Sequence, residues 1–367
     1  MAVKVSRENL VEYVVKIVNN RLLEFFEELD EEVLREAPKA RDLVTASKDY
    51  TLRGGKRLRA VLALIGYWSK EWGGGDVNAI TDVMAAIELL QSYLLIHDDV
   101  MDKDELRRGG PTVHVMFQRK CIENNWRNCE HYGVSQAIVA GDMVEASAIG
   151  LLASGRLKPE VIRELVSAYS KGLRKVAYGQ YLDVMYSQLS IREVSEEDIM
   201  LIYKFKTSSY TVELPLHLGS IASSRHNDRL LSELSSYAMP AGIAFQIRDD
   251  IIGLYGDPGV TGKPAGSDVK SKKKTLLIAK AYELAKHEDK KTLELVYDNL
   301  SEAEITNEHV EEVRRIVKES GALDYAEESI NNHVQSALSA LENSVEICDE
   351  AKDVLKWITY KLAYREK

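Results

Sequence analysis

The sequence predicts an all-α protein, a helical bundle folded as a single domain. Apolar residues make up 45% of the 367 residues and recur three and four apart over long segments. Glycine (22) and proline (7) are sparse outside a few loops, and β-branched residues form no alternating runs. The chain is long for one domain, yet no Pro/Gly/Ser-rich linker divides it, so one unit over residues 1–367 is expected.

Residues 8–37 carry Leu10, Val14, Ile17, Leu22, Phe25 and Phe26 at helical spacing and read as packing or dimer helices. Gly54-Gly55 opens a loop that presents Lys56, Arg57 and Arg59 just before the apolar helix Ala60 to Tyr67. Cations beside helix-start amides make an anion pocket, or else a solvated basic helix start. The run Ile80 to Ile96 places Val83, Ile87, Leu90 and Leu94 on one helix face and ends in His97-Asp98-Asp99-Val100-Met101-Asp102, followed by Arg107-Arg108-Gly109. Asp98 and Asp102 share a face. Clustered carboxylates repel one another and sit poorly at the negative end of a helix dipole. A hard divalent cation removes both problems, and magnesium takes one or two carboxylates together with substrate phosphate oxygens.

A second apolar segment, Ala238 to Ile247, ends in Asp249-Asp250 and is followed by Gly262-Lys263. One Asp-Asp pair alone reads as a solvated helix end. Two, each closing an apolar helix with a basic group further on, point to paired metal-diphosphate motifs. Between them, residues 134–155 and 160–186 read as helices, the second bearing Gly179-Gln180-Tyr181-Leu182-Asp183, and Lys204, Lys206 and Thr207 precede an apolar helix through Leu218. Asp268 to Thr275 reads as a flexible basic loop, and Leu276 to Lys367 as charged amphipathic helix without a catalytic signature.

The net charge of −10 opposes binding to nucleic acid and to anionic membranes. It also opposes binding a diphosphate, unless local cations and magnesium reverse the sign. Cys121, Cys129 and Cys348 are too few for a disulfide framework and fit a reducing compartment. No run of about 18 apolar residues occurs, and Met1 to Ser6 has no signal-like core, so a cytoplasmic protein without a membrane span is expected.

Five ordered blocks together resemble the trans-isoprenyl diphosphate synthases: Gly54 to Arg59, Asp98 to Gly109, Lys206-Thr207, Phe245 to Asp250, and Gly262-Lys263-Pro264 with Gly266-Ser267-Asp268. The resemblance covers most of the chain and implies the isoprenoid-synthase helical bundle around a central substrate cavity. Gly253 stands where the family often has a third aspartate, a form that resembles archaeal geranylgeranyl-type members and leaves the second metal clamp one carboxylate short. Lys273 and Thr275 match the family's Gly-Lys-x-Thr, whereas Lys272 replaces its glycine. The segment 115–132 is an insertion relative to the family. Its Cys121, Cys129 and His131 make a zinc site conceivable, but a surface elaboration or dimer contact is the favoured reading.

The resemblance implies magnesium-assisted ionisation of an allylic diphosphate, attack by isopentenyl diphosphate and loss of a proton, with three magnesium ions when substrate is bound. It assigns the metal to Asp98 and Asp102 with Asp99 supporting, and to Asp249 with Asp250 nearby. Arg107, Lys206 and Lys263 would contact the allylic diphosphate, and Lys273 would join them from its loop. Lys56, Arg59, Gln91 and Arg108, with Arg57 adjoining, would hold isopentenyl diphosphate. Thr207 and Gln246 would lie against the reacting carbons, Lys206 beside them, and Gln180 and Asp183 would stand behind the site. Tyr93, five residues or about 7.5 Å before Asp98, is the candidate floor for the product tail, with Leu94 next to it. The expected product is geranylgeranyl diphosphate (C20), with farnesyl (C15) and geranylfarnesyl (C25) as alternatives, and a homodimer is the family expectation. A class I terpene cyclase would not need the Gly54 to Arg59 block, and a silent partner subunit would not need an intact Asp98, Asp99 and Asp102.

Overall fold

The structure, a computed structural model, describes residues 9–154, 156–256 and 266–365. It is built almost wholly of helices, as expected. Contacts divide the chain into two compact units, residues 1–168 with 215–226, and residues 169–214 with 227–367.

The first unit opens with α1, Leu10–Glu36, whose Leu10, Val14, Val18, Leu22 and Phe26 form a buried stripe spaced four apart. Helix α2 spans Arg41–Leu52 and α3 spans Leu58–Tyr67, in which every residue from Ala60 onward is buried. Helix α4, Val77–Met101, is capped by the Asp76 side chain, which accepts from the Asn78 N–H at 3.0 Å. Two short strands, β1 (Leu106–Arg107) and β2 (Gly110–Pro111), pair antiparallel. Arg108 and Gly109 between them have φ of 51° and 74°, the positive pair that a two-residue hairpin of this hand requires. Arg53 at the end of α2 holds the hairpin by donating to the Pro111 carbonyl at 2.6 Å. Helices α5 (Val113–Glu123) and α6 (Cys129–Ser154) follow, and α6 packs along both α4 and α5.

Residues 115–132 are therefore most of α5, a turn and the first residues of α6. A Cys121–Cys129 disulfide staples that turn, with Cα atoms 5.3 Å apart. This overturns the expectation of reduced cysteines and removes the conceivable zinc site, because the two thiolates that a metal would need are joined to each other. Helices α4 and α6 are each long and apolar enough to cross a membrane, contrary to the expectation from the sequence. Within their most apolar windows, 67% of α4 and 39% of α6 is buried inside the fold. Both are helices of the bundle, and α6 keeps Ile138, Val139 and Ile149 exposed on its outer side.

Helix α7, Pro159–Gln188, contributes to both units. In the second unit, α8 (Glu196–Ile202) starts with a reciprocal Ser195/Asp198 capping box and runs into a π-helical stretch, Tyr203–Glu213, which leads to α9, Leu214–Ala222. Helix α10, Asp228–Tyr255, is longer than the apolar segment suggested. Asp249 and Asp250 lie inside it rather than at its end, since Ile251, Ile252 and Leu254 continue the apolar pattern for another turn. The basic loop is partly ordered as a short helix, α11, Ser267–Lys270. Lys272 has φ of 55°, in the left-handed region that favours glycine, which gives the family's glycine at that position its physical reason. The remaining helices, α12 (Leu276–Leu284), α13 (His287–Glu294), α14 (Asn307–Glu319), α15 (Ala322–Asn343) and α16 (Asp349–Ala363), close a core that includes Ile247, Leu276, Leu293, Val313, Ile330 and Val334.

Candidate active site

The first acidic motif sits on the last turn of α4. Asp98 and Asp102 are one turn apart on one face, and Asp102 is the residue at which the helix stops. Asp99 points the other way and is fully buried. Its Oδ2 accepts from the Tyr50 hydroxyl at 2.6 Å, and its Oδ1 accepts from Arg107 Nε at 2.8 Å and also from the Arg107 terminal nitrogen. Arg107 also donates to Asp104 at 2.9 Å and stands 4.0 Å from Asp98. Burial works against the guanidinium charge, but the Asp99 carboxylate outweighs it and raises Arg107 above its ordinary range. Asp99 therefore anchors Arg107 beside Asp98, which is a supporting place at the first motif, with both of its oxygens engaged by donors of the fold.

Tyr93 and Leu94 are half-buried one turn and more below. The Tyr93 ring meets His97 edge-on at 4.8 Å between centroids, and burial, with Glu145 and Asp142 nearby, raises its hydroxyl pKa. His97 in turn bonds the Ile138 carbonyl of α6 at 3.1 Å. Tyr93 is thus on the α6 side of the helix, whereas Leu94, four residues before Asp98, lies beneath the acidic face.

The Gly54 to Arg59 block forms the expected loop. Lys56 is exposed and Arg59 half-buried, while Arg108 donates to the Gly54 carbonyl at 2.7 Å. Arg57 does not adjoin this surface as expected. It is turned inward, 3% exposed, and bound to Glu88, a buried residue of α4. Three residues along α4 from Glu88, Gln91 is buried with an Oε1 that has no hydrogen-bond partner among the described residues. An orphaned buried polar atom is what a polar ligand would satisfy.

The second acidic motif repeats the first in outline. Asp250 is 6% exposed and accepts from Gln246 Nε2 at 2.8 Å and from the Tyr203 hydroxyl, which itself accepts from the Leu276 N–H at 2.8 Å. Gln246 Oε1 accepts from the Thr207 hydroxyl at 2.6 Å. Burial pushes the Asp250 carboxyl up to about 7, with the charge of Asp268 adding to it and Tyr203, Gln246 and Lys273 opposing. Asp250 is held within the fold, whereas Asp249, the expected ligand of this motif, is 40% exposed at its side chain and paired with Arg365. Arg365, whose guanidinium also covers the Phe245 ring at 4.6 Å, has its pKa lowered by burial and by Arg248 to about 10. This contact of the C-terminal segment lies outside what the sequence pattern predicts for Leu276 to Lys367.

Lys206, in the π-helical stretch, donates to Asp183 at 2.5 Å. Gly179 lies against it, where a Cβ would come within 2.2 Å of the Lys206 backbone nitrogen. Lys263 lies outside the described residues. At the position of the family's third aspartate, a Cβ on Gly253 would stand 2.2 Å from Asp268 Oδ2, so a side chain there requires the end of the Asp268 side chain to swing aside.

Among the described residues no group of three or more His, Cys, Asp or Glu side chains is placed to hold a metal ion by itself. That suits magnesium, which needs only one or two carboxylates from the protein when phosphate oxygens complete its shell. Asp98 and Asp102 on one face, and Asp249, supply such hard oxygen donors.

This is the equipment of an all-α enzyme that binds polyphosphate through metal and fixed cations. The polyprenyl synthetase family model matches residues 41–317, and the chain belongs to that family. It is a prenyltransferase, an isoprenyl diphosphate synthase. The geranylfarnesyl diphosphate synthase of Aeropyrum pernix is 32% identical over 86% of this chain and 91% of its own. The geranylgeranyl diphosphate synthase of Sulfolobus acidocaldarius is 31% identical over 89% and 91%. The crystal structure of geranylgeranyl pyrophosphate synthase from Corynebacterium glutamicum, complexed with isoprenyl diphosphate and magnesium, superposes with a TM-score of 0.88 at 29% identity, over 98% of this chain and all of that one.

Two outcomes are expected. Gly253→Asp, although it restores the family's commoner pattern, sets a carboxylate against that of Asp268 and lowers thermal stability by about 0.5–1 kcal/mol, and adding Asp268→Ala recovers most of the loss in a melting experiment. In metal-free buffer with EDTA, the Asp250 contribution to stability declines as pH rises from about 4 towards 7, because the folded state holds the Asp250 proton longer than the unfolded chain does. Above that range the contribution is level. Asp250→Asn removes the decline in denaturant titrations at a series of pH values.

Proposed function

We propose that the protein elongates allylic diphosphates with isopentenyl diphosphate and releases geranylgeranyl diphosphate, C20, as a cytoplasmic homodimer whose whole length serves one catalytic domain. The observation that carries the chemistry is the half-buried first-and-fifth pair Asp98 and Asp102 on one helix face, with Arg107 locked beside Asp98 by Asp99 and Asp104. Magnesium, three ions when substrate is bound, would supply charge neutralisation of the departing diphosphate.

In this reading Asp98 and Asp102 hold the metal at one motif and Asp249 at the other. Arg107, Lys206, Lys263 and Lys273 hold the allylic diphosphate. Charge grows on that group as the allylic bond breaks, so cations fixed before the step stabilise the transition state more than the ground state. The Thr207 hydroxyl is committed as a donor to Gln246, and Gln246 donates to Asp250. The Thr207 oxygen therefore keeps its lone pairs, the right polarity to face an allylic cation. Lys56, Arg59, Arg108 and Gln91 hold isopentenyl diphosphate. The released diphosphate accepts the final proton, so no protein base is required.

The C20 assignment rests on the resemblance of Tyr93 and Leu94 to the archaeal geranylgeranyl pattern, and the C25 reading is favoured only by the geranylfarnesyl-forming relative. The exposed apolar residues Ile138, Val139 and Ile149 on α6 support self-association.

Incubation of purified protein with isopentenyl diphosphate, magnesium and dimethylallyl, geranyl or farnesyl diphosphate should yield a C20 alcohol after dephosphorylation, read by mass spectrometry. EDTA abolishes it, and Asp98→Ala lowers the rate by about a thousandfold. Recovery of the starters unextended would reject the assignment. Tyr93→Ala shifts the product to C25 and longer; an unchanged chain length would move the floor elsewhere, with Leu94→Ala the next variant to size. Light scattering should give twice the 41.3 kDa chain mass.

A further inference from the structure

Glu88 is a carboxylate where an anion-binding protein has least use for one. It is 3% exposed, lies one helical turn from Gln91, and faces the loop that carries Lys56, Arg57 and Arg59. Electrostatics alone would make it a liability, since a buried negative charge repels an incoming diphosphate.

Its contacts give it a different job. Arg57, at the residue before α3, has φ of 46° and ψ of 41°, a left-handed conformation that disfavours a side chain with a Cβ. Its guanidinium is held on every side: Nε donates to Asn19 Oδ1 of α1 at 3.0 Å, one terminal nitrogen to Glu88 Oε2 at 3.2 Å, and the other to the Thr51 carbonyl of α2 at 2.9 Å. The second oxygen of Glu88 accepts from the Ala60 N–H, one of the amides that the first turn of α3 leaves unpaired, at 3.3 Å. One carboxylate thus ties α4 to the left-handed loop residue and to the start of α3. The inward turn at Arg57 leaves its neighbour Lys56 exposed.

We propose that Glu88 is a positioning residue for the isopentenyl diphosphate pocket, acting through Arg57, with Asn19 as its partner on the far side of the guanidinium. The inference rests on the reading of Lys56, Arg59, Gln91 and Arg108 as that pocket. It reverses the role that the sequence suggested for Arg57, which orients the loop and does not touch substrate.

Glu88→Gln separates positioning from charge. The substitution keeps the side chain's size and makes the pocket more positive, so if Glu88 acts only by its charge, KM for isopentenyl diphosphate falls. If it positions the loop, the amide nitrogen that replaces one carboxylate oxygen meets a donor, Arg57 or the Ala60 N–H, instead of accepting from it, the loop loosens, and that KM rises about tenfold or more. KM for the allylic substrate and kcat at saturating isopentenyl diphosphate stay within about twofold. Asn19→Ala, remote from the pocket on α1, should move the same KM in the same direction by about threefold. Should Glu88→Gln fail to fold, Asn19→Ala alone decides the matter. A KM that falls or stays unchanged in a folded variant overturns the proposal. Wild-type protein that shows no saturable use of isopentenyl diphosphate overturns the pocket reading itself, which is a separate result.

Discussion

Each acidic motif depends on one buried aspartate being held in place by a distant tyrosine. Asp99 accepts from Tyr50, and Asp250 from Tyr203. A buried carboxylate without donors would be prohibitively costly, or would stay protonated. The tyrosine and one further donor, Arg107 in one case and Gln246 in the other, make the buried position tolerable. What results at each motif is a division of labour between neighbours in sequence. The second aspartate is spent on the fold, and the first, Asp98 or Asp249, keeps more exposure. Consecutive helical residues point about 100° apart, so a single Asp-Asp dipeptide can serve core and site at once.

Backbone strain is concentrated at the cationic loops. Arg57, Arg108 and Lys272 all have positive φ. Each is a long cation in a conformation that glycine would adopt more cheaply, and each is held by carbonyl or carboxylate partners: Arg57 by Glu88 and Thr51, Arg108 by Gly54, and Lys272 by the Leu300 carbonyl. Such residues persist only when their surroundings over-determine them. The loops are therefore built to stiff specifications, as a site that must offer fixed charges requires.

Most of the helices and the acidic motifs were legible in the sequence because they are local patterns: periodic apolar residues, paired aspartates, a glycine pair before cations. What escaped was pairing over long separations. Tyr50 and Tyr203 are 49 and 47 residues from their aspartates, and nothing in the local pattern of either marks it as a partner. Arg365 reaches back 116 residues to Asp249. The Cys121–Cys129 bond and the π-helical register at Lys206 left no periodic trace. The extension of α10 beyond Asp250 was readable from Ile251, Ile252 and Leu254, and the acidic pair drew the boundary too early. Gly253 read as a missing ligand, and only the structure shows the Asp268 oxygen lying where a side chain there would enter.

The cations near each acidic motif are already committed to carboxylates: in the first unit Arg107 to Asp99 and Asp104, and in the second Lys206 to Asp183 and Arg365 to Asp249. On the proposed function, a diphosphate that meets such pre-paired cations exchanges partners rather than meeting bare charge, so much of the Coulombic gain on binding is offset by the pairs it disturbs. That exchange becomes more favourable as charge accumulates on the leaving group, because a dispersed carboxylate pair competes poorly with a concentrated polyphosphate. Pre-pairing also fixes the guanidinium and ammonium groups before the reaction, which lowers the reorganisation needed at the moment of ionisation. A net charge of −10 is compatible with this chemistry for the same reason: the acids near the site hold its cations in position, and the charge that matters is the local arrangement, not the sum.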